Sequence, residues 1–288
     1  MRYCRTFYTF AFFFFGCFIS STFSCIGAGY SQELVDLIEL VYGKGLLSQG
    51  GHISINTMFA HIPLDGTTIL DVGSGLGGVD CYLAQQWNTR IIGIEPELFI
   101  MQEAQKRLAK MPPYRLRGSI HFYHTDGRSL KQFRDNTFDI VFSKEVLLHV
   151  PHAHKEAYLQ EMCRVLKPGG MLIILDWIHQ SPNYSTELQT MIAEDGIDYN
   201  CITLDEYLHH LSHATFTNVK YTDLTDQYAF FTAQDCEKIT YLQDDITEKF
   251  DDHVYQESLN GWKMQQHIFE RHEIRVILFH ACKEYIHA

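Results

Sequence analysis

Basic residues are scarce in this chain. Its 288 residues carry 23 Lys and Arg against 35 Asp and Glu, a formal net charge of −12. No positive stripe runs along any segment, which argues against nucleic acid as a substrate, because holding a polyanion requires neutralising its phosphates. Acidic pairs such as Asp244-Asp245 and Asp251-Asp252 read as solvated faces. C-x-x-C spacing is also missing. Cys4 and Cys17 fall in the leader, and the other six of the eight cysteines suggest neither a zinc cluster nor a disulfide framework. Cys81 and Cys163 are expected on core helices, as small apolar residues. No metal site is expected. In His149-Val150-Pro151-His152-Ala153-His154 the proline breaks the i, i+4 geometry and no nearby carboxylate completes a ligand set. His209, His210 and His213 are expected to share one exposed helix. There is no internal repeat and no low-complexity linker. What is present, 46% hydrophobic residues in a chain of this length, suffices for one α/β core with a small lid.

The most informative stretch is Thr68-Ile69-Leu70-Asp71-Val72-Gly73-Ser74-Gly75-Leu76-Gly77-Gly78, an apolar strand running into an acid and a glycine-rich turn. Glycines let a backbone turn sharply and approach a ligand where a β-carbon would collide. Gly73-x-Gly75-x-x-Gly78 also satisfies the dinucleotide fingerprint, which alone is weak. Asp71 shifts the balance. A carboxylate there would repel the pyrophosphate of NAD, whereas it would attract the amino group or the sulfonium of S-adenosylmethionine.

Further strands end in acids in the same way. Arg90-Ile91-Ile92-Gly93-Ile94-Glu95 places Glu95 where it can accept both hydroxyls of a ribose. Ile120-His121-Phe122-Tyr123-His124-Thr125-Asp126 places Asp126 to accept from an adenine amino group. A fourth strand is expected at 138–143. A helix stop at Lys167-Pro168-Gly169-Gly170 then precedes a fifth strand at 171–177. The alternation predicts an α/β fold, a doubly wound and mostly parallel Rossmann-like sheet with its ligand at the carboxyl ends of the strands.

This ordered set resembles the class I S-adenosylmethionine-dependent methyltransferases over about residues 60–282. Within them it is most similar to the phosphoethanolamine methyltransferases of protozoa, nematodes and plants. The likeness begins ahead of the glycine loop, at Tyr30-Ser31-Gln32-Glu33 and at Tyr42-Gly43-x-x-Leu46-Leu47-Ser48-Gln49-Gly50-Gly51, and continues in Ser143-Lys144-Glu145-Val146-Leu147-Leu148-His149. The resemblance implies S-adenosyl-L-methionine as cofactor and a small amine as acceptor. It implies that Tyr30 and His149 are the catalytic pair. Leu47, Ser48, Asp71, Gly73, Ser74, Gly75, Glu95, Pro96, Asp126, Gly127 and Glu145 are the implied cofactor contacts, with Glu145 standing where the family usually has Asp. The chemistry agrees. An ammonium must lose or share a proton before its lone pair can attack a methyl group, and imidazole suits that task.

The substrate side departs from the family. Trp177 replaces a tyrosine, and Tyr199 matches a family tyrosine, but Ile197 stands where the family has a phosphate-binding arginine. After Gly261-Trp262 the basic position holds Gln265, leaving Lys263 as the candidate substrate cation, with His267 and Arg271 as further possibilities. Replacing Arg by Ile removes a charge-assisted donor to phosphate. An acceptor such as sarcosine or dimethylglycine is therefore an open alternative, its methylated nitrogen cradled by Trp177, Tyr199 and Tyr30 through cation–π attraction. A non-catalytic cofactor-binding protein and an NAD-dependent oxidoreductase are the other readings. The second leaves Asp71 and Asp126 unexplained.

Residues 1–26 carry Arg2 and Arg5, an aromatic-rich apolar run and then Ser20, Ser21 and Thr22, the pattern of a signal peptide or signal anchor. That would make the protein secreted or membrane-anchored, and otherwise it is expected in the cytoplasm. The remaining divisions expected are a helical cap at 27–60 and a methyltransferase domain at 61–288 with a lid insertion at about 181–215. A monomer is the expected state.

Overall fold

The computed structural model describes residues 30–181, 183–195 and 199–285. The leader at 1–26 and Ile197 lie outside these residues.

The chain opens with two short helices, α1 (Gln32–Tyr42) and α2 (Gly51–Met58). Ser31 caps α1 by accepting from the Leu34 N–H at 3.2 Å, and the spacing of Leu34, Val35, Leu37, Ile38, Val41 and Tyr42 gives the helix one buried face. Each aliphatic side chain so buried stabilises the docked helix by roughly 1.5–3 kcal/mol relative to exposure.

The sheet then builds by alternation: β1 (Thr68–Val72), α3 (Gly78–Gln86), β2 (Arg90–Glu95), α4 (Leu98–Lys110), β3 (Ser119–His124), β4 (Phe138–Lys144), α5 (His152–Val165) and β5 (Leu166–His179). Two helices follow, α6 (Thr186–Asp195) and α7 (Leu204–His213), the latter started by a Thr203–Glu206 capping box. The chain ends with β6 (Phe216–Asp223), α8 (Thr225–Tyr241), α9 (Gln243–Lys249), α10 (Asp252–Glu270) and β7 (Ile274–Lys283). The order across the sheet is β3-β2-β1-β4-β5-β7-β6. The first five strands are parallel, and β7 runs antiparallel to both β5 and β6.

Strands covered on both faces read as near-continuous apolar runs. Here the period of two sorts them. Ile69, Ile91, Ile140, Phe142, Ile173 and Leu175 face a core shared with α1, α3, α4, α8 and α10. Their neighbours Leu70, Val72, Ile92, Ile94, Val141 and Leu172 face α5 and α7. Helices on both faces make the sheet doubly wound. The direction of winding reverses between β1 and β4, so a crevice opens at the carboxyl ends of β1, β2 and β4.

Among the described residues, no helix is long and apolar enough to cross a membrane, and no three His, Cys, Asp or Glu side chains are grouped to hold a metal ion.

Candidate active site

In register, Asp71 lies beside Gly93 and Phe142, and Lys144 lies beside Leu175. This alignment sets the ends of β1, β2 and β4 side by side. The crevice there is a cleft of about 770 Å³ open to solvent on one side. Tyr30, Leu47, Ser48, Asp71, Gly73, Ser74, Gly75, Glu95, Pro96, Glu145 and His149, eleven positions named from the sequence, all line it.

The glycine turn is shaped by what surrounds it. Gly73 has φ +89, and its N–H and that of Ser74 donate to the Ile94 carbonyl at 2.9 and 3.0 Å. A β-carbon at Gly73 would fall 2.4 Å from Val146 Cγ2. At Gly78 it would fall 2.3 Å from the Gly45 carbonyl oxygen, which accepts the Gly78 N–H at 3.1 Å. The loop between α1 and α2 and the glycine turn therefore touch backbone to backbone, and only glycine permits that approach. The Gly75 N–H donates to Glu95 Oε2 at 2.9 Å, and the Glu97 N–H donates to Oε1 at 2.9 Å. Glu95 thus fixes the turn as well as facing the cleft.

The cleft floor is acidic and its carboxyl groups are buried. Burial pushes the Glu95 carboxyl up to about 7 against the two N–H donors that favour its charge. Asp71 is held well above the usual carboxylate range by burial, by Asp80 and by Glu95. Asp80, in the first turn of α3, is fully buried near Asp71, and burial pushes its carboxyl up to about 7. No donor reaches Asp71 Oδ1 or either Asp80 oxygen among the described residues. Unpaired buried carboxylates of this kind fit a ligand that brings N–H, O–H or positive charge, and they repel phosphate.

Cofactor binding should therefore release protons. Below the folded-state value near 7 Glu95 is largely protonated, and a ligand that presents O–H and N–H donors binds its ionised form. The Glu95 contribution to S-adenosylhomocysteine affinity is expected to rise with pH by up to about tenfold per unit and to level off above 7–8. Titration calorimetry in two buffers of different ionisation enthalpy reads the released protons directly, and equal apparent heats would disprove it.

Above the floor, Glu145 sits at φ +57, a left-handed conformation uncommon outside glycine. Its Oε1 accepts from Lys144 Nζ at 2.7 Å and from the Tyr228 hydroxyl at 2.8 Å, whereas its buried Oε2 accepts no donor among the described residues. Lys144 also donates to Ser48 Oγ at 2.5 Å and to the Gln49 carbonyl at 3.0 Å, so the loop between α1 and α2 is tied to the end of β4. His149 closes a short 3-10 turn at Leu147–His149. Burial, reinforced by the Lys155 charge, pushes its imidazole down to about 3, so the ring is uncharged at neutral pH.

Some expected residues lie elsewhere. Asp126 is turned to Arg128, accepting from its backbone N–H at 2.8 Å and from Nε at 2.7 Å, and neither it nor Gly127 lines the cleft. Trp177 is buried, stacked on Tyr199 with ring centroids 6.0 Å apart and planes at 14°, and Tyr199 lies 6.4 Å from the His149 ring. These two form a wall behind His149 and are not in the cleft lining. Lys263 is on the exposed side of α10, while Gln265 faces inward, because α10 buries Gly261, Trp262, Gln265, Ile268 and Phe269. Arg271 and His267 are engaged with Glu187 at the surface.

Lys144, Tyr228 and Asp80 were not singled out from the sequence. Asp80 had a signal, since it shares a helix face with Leu83 and Ala84 at i+3 and i+4, which marks a buried acid. Tyr228 had none, as it reaches Glu145 from 83 residues away.

Comparison with known proteins agrees with this geometry. Residues 70–174 match the methyltransferase domain family. Phosphoethanolamine N-methyltransferase 1 of Zea mays is 28% identical over 246 residues, 85% of this chain and 47% of that protein. The Plasmodium falciparum phosphoethanolamine N-methyltransferase is 29% identical over 201 residues, 69% of this chain and 72% of that protein. The chain thus spans about half the length of the plant relatives it matches. Haemonchus contortus phosphoethanolamine N-methyltransferase 2, solved with phosphomonomethylethanolamine and S-adenosylhomocysteine, superposes with a TM-score of 0.80 at 20% identity, over 88% of this chain and 58% of that one.

Proposed function

We propose that this chain is a class I S-adenosylmethionine-dependent methyltransferase that moves a methyl group to the nitrogen of a small amine, as phosphoethanolamine N-methyltransferases do. The observation that carries the reading is the cleft itself. It joins buried carboxylates at the ends of β1, β2 and β4 to an uncharged imidazole at its rim.

The carboxylates of Asp71 and Glu95 and the glycine turn are the groups that would hold S-adenosylmethionine, with Leu47 and Ser48 lining the same cleft from the loop between α1 and α2. When bound, that molecule supplies an electrophilic methyl on a cationic sulfur. The chain's own residues do the rest. His149, uncharged at neutral pH, offers a lone pair that takes or shares the ammonium proton. Tyr30 lines the same cleft and would orient the acceptor, and the unshared Glu145 Oε2 attracts its positive charge. Positioning of the nitrogen for in-line attack accounts for much of the rate.

A second reading, a small amine without phosphate such as sarcosine or dimethylglycine, is favoured by one observation. Lys144 is the only lysine or arginine among the described cleft-lining residues, and it is already engaged by Ser48, Gln49 and Glu145.

Transfer of labelled methyl to phosphoethanolamine, ethanolamine, glycine, sarcosine and dimethylglycine tests both readings. Label in one of the amines supports methyl transfer and identifies the acceptor. Tight S-adenosylhomocysteine binding with no label in any of them would overturn it in favour of a non-catalytic binder.

A further inference from the structure

The turn that carries His149 is held by groups that no step above uses. Lys155, on α5, is 1% exposed, and its Nζ donates to the Leu147 carbonyl. Asp176, near the end of β5, is also 1% exposed. Its Oδ1 accepts the Leu148 N–H at 3.2 Å, and its Oδ2 accepts the Tyr207 hydroxyl at 3.0 Å. The Asn200 N–H donates to the Leu148 carbonyl at 2.7 Å. Two consecutive peptide units ahead of His149 are thus fixed from three elements, two of the contacts coming from buried ionisable side chains. Neither Lys155 nor Asp176 lines the cleft.

Burying a cation and a carboxyl is costly, and hydrophobic residues of similar volume would often serve stability as well. A turn needing only to be stable would not require them. A turn that must hold one ring to within a fraction of an ångström gains from bonds between its backbone and buried ionisable side chains, because those bonds fix direction as well as distance. We propose that Lys155 and Asp176 are positioning residues that clamp the Leu147–His149 turn from opposite sides and so fix the His149 imidazole against the acceptor nitrogen. The proposal rests on the reading of His149 as the group facing that nitrogen.

The test uses the full chain with Lys155→Met, Asp176→Leu and Asp176→Asn, the last retaining an acceptor for the Leu148 N–H, and the double variant Lys155→Met/Asp176→Asn, which leaves no lone buried charge. Lys155→Met and Asp176→Leu are expected to lower kcat by about 100-fold, the scale of a misplaced catalytic group, with the acceptor KM and the S-adenosylhomocysteine Kd within about threefold. Asp176→Asn should recover most of the loss. Cooperatively folded variants with kcat within threefold of the parent overturn the proposal. So does a kcat loss matched by an equal loss of cofactor affinity. A second readout is independent of turnover. The ¹⁵N shifts of the His149 ring should report one tautomer in the parent, and two tautomers or exchange broadening in Lys155→Met and in the double variant. An unchanged ring spectrum overturns the clamp even if no amine is methylated. A blank amine panel with altered ring shifts would instead sink the transferase reading and leave the clamp standing. Should the single variants fold poorly, the double variant and Asp176→Asn decide.

Discussion

His149→Ala is expected to lower turnover by about 10³-fold, within the 10²–10⁴-fold range of a positioned proton acceptor, and to leave S-adenosylhomocysteine affinity within a few-fold. The two halves of that expectation come from different parts of the cleft. The groups assigned to the cofactor are Asp71, Glu95 and the glycine turn, anchored by bonds to Ile94 and Glu97 that His149 does not touch. The imidazole sits on a separate turn, uncharged because burial and Lys155 disfavour its proton. Removing it deletes the proposed proton acceptor and leaves the groups assigned to the cofactor in place. Steady-state kinetics with a matched calorimetric titration would separate these effects. Comparable losses in both would show that His149 is a packing residue of the rim, and the proton-acceptor role would have to be given up. Loss of a buried ring also leaves a cavity, so the melting temperature of the variant belongs beside the kinetic result.

What could be read from the sequence was mostly local. Asp71 and Glu95 each end an apolar run, so parallel-sheet geometry alone brings them to one crevice, and the structure places both in the cleft. The same rule suggested Asp126, yet Arg128 lies two residues on and captures its carboxylate. A strand-end acid followed so closely by an arginine can satisfy itself, and periodicity carries no trace of that competition. Lys263 shows the opposite limit. Its charge drew notice, but position on a helix face decides where a side chain points, and Gln265 holds the inward position on α10. Contacts made across the chain were harder still. Tyr228 on Glu145 joins α8 to the end of β4, and Lys155 and Asp176 meet at one turn from α5 and β5. No spacing rule joins such residues, because the turn between them exists only once the sheet has formed.

The strongest test of the cofactor half is Glu95→Gln. Both Glu95 oxygens accept a backbone N–H, from Gly75 at 2.9 Å and from Glu97 at 2.9 Å. An amide keeps only one acceptor, so its NH₂ must face one of those N–H groups, donor against donor. One charge-assisted bond is lost, worth about 1.5–3 kcal/mol, and the glycine turn loses its brace from β2. Any ribose hydroxyl bound by the carboxylate loses its stronger partner as well. At about 1.4 kcal/mol per factor of ten, the S-adenosylhomocysteine Kd should rise about 10- to 100-fold. Asp126→Asn is the matched control. Its carboxylate is engaged with Arg128 outside the cleft, so its Kd should change by less than about threefold, as for a surface pair of small energy. The pH dependence makes the comparison stricter. Protonation of Glu95 near 7 is what links parental affinity to pH, and glutamine carries no such proton. Proton release on binding should therefore shrink in Glu95→Gln, leaving what Asp71 and Asp80 contribute, and persist in full in Asp126→Asn. A Glu95→Gln protein that binds within threefold of the parent and releases as many protons would show that this carboxylate is a structural brace only. The ribose contact would then have to be sought at Pro96 or Ser74, on the same wall of the cleft.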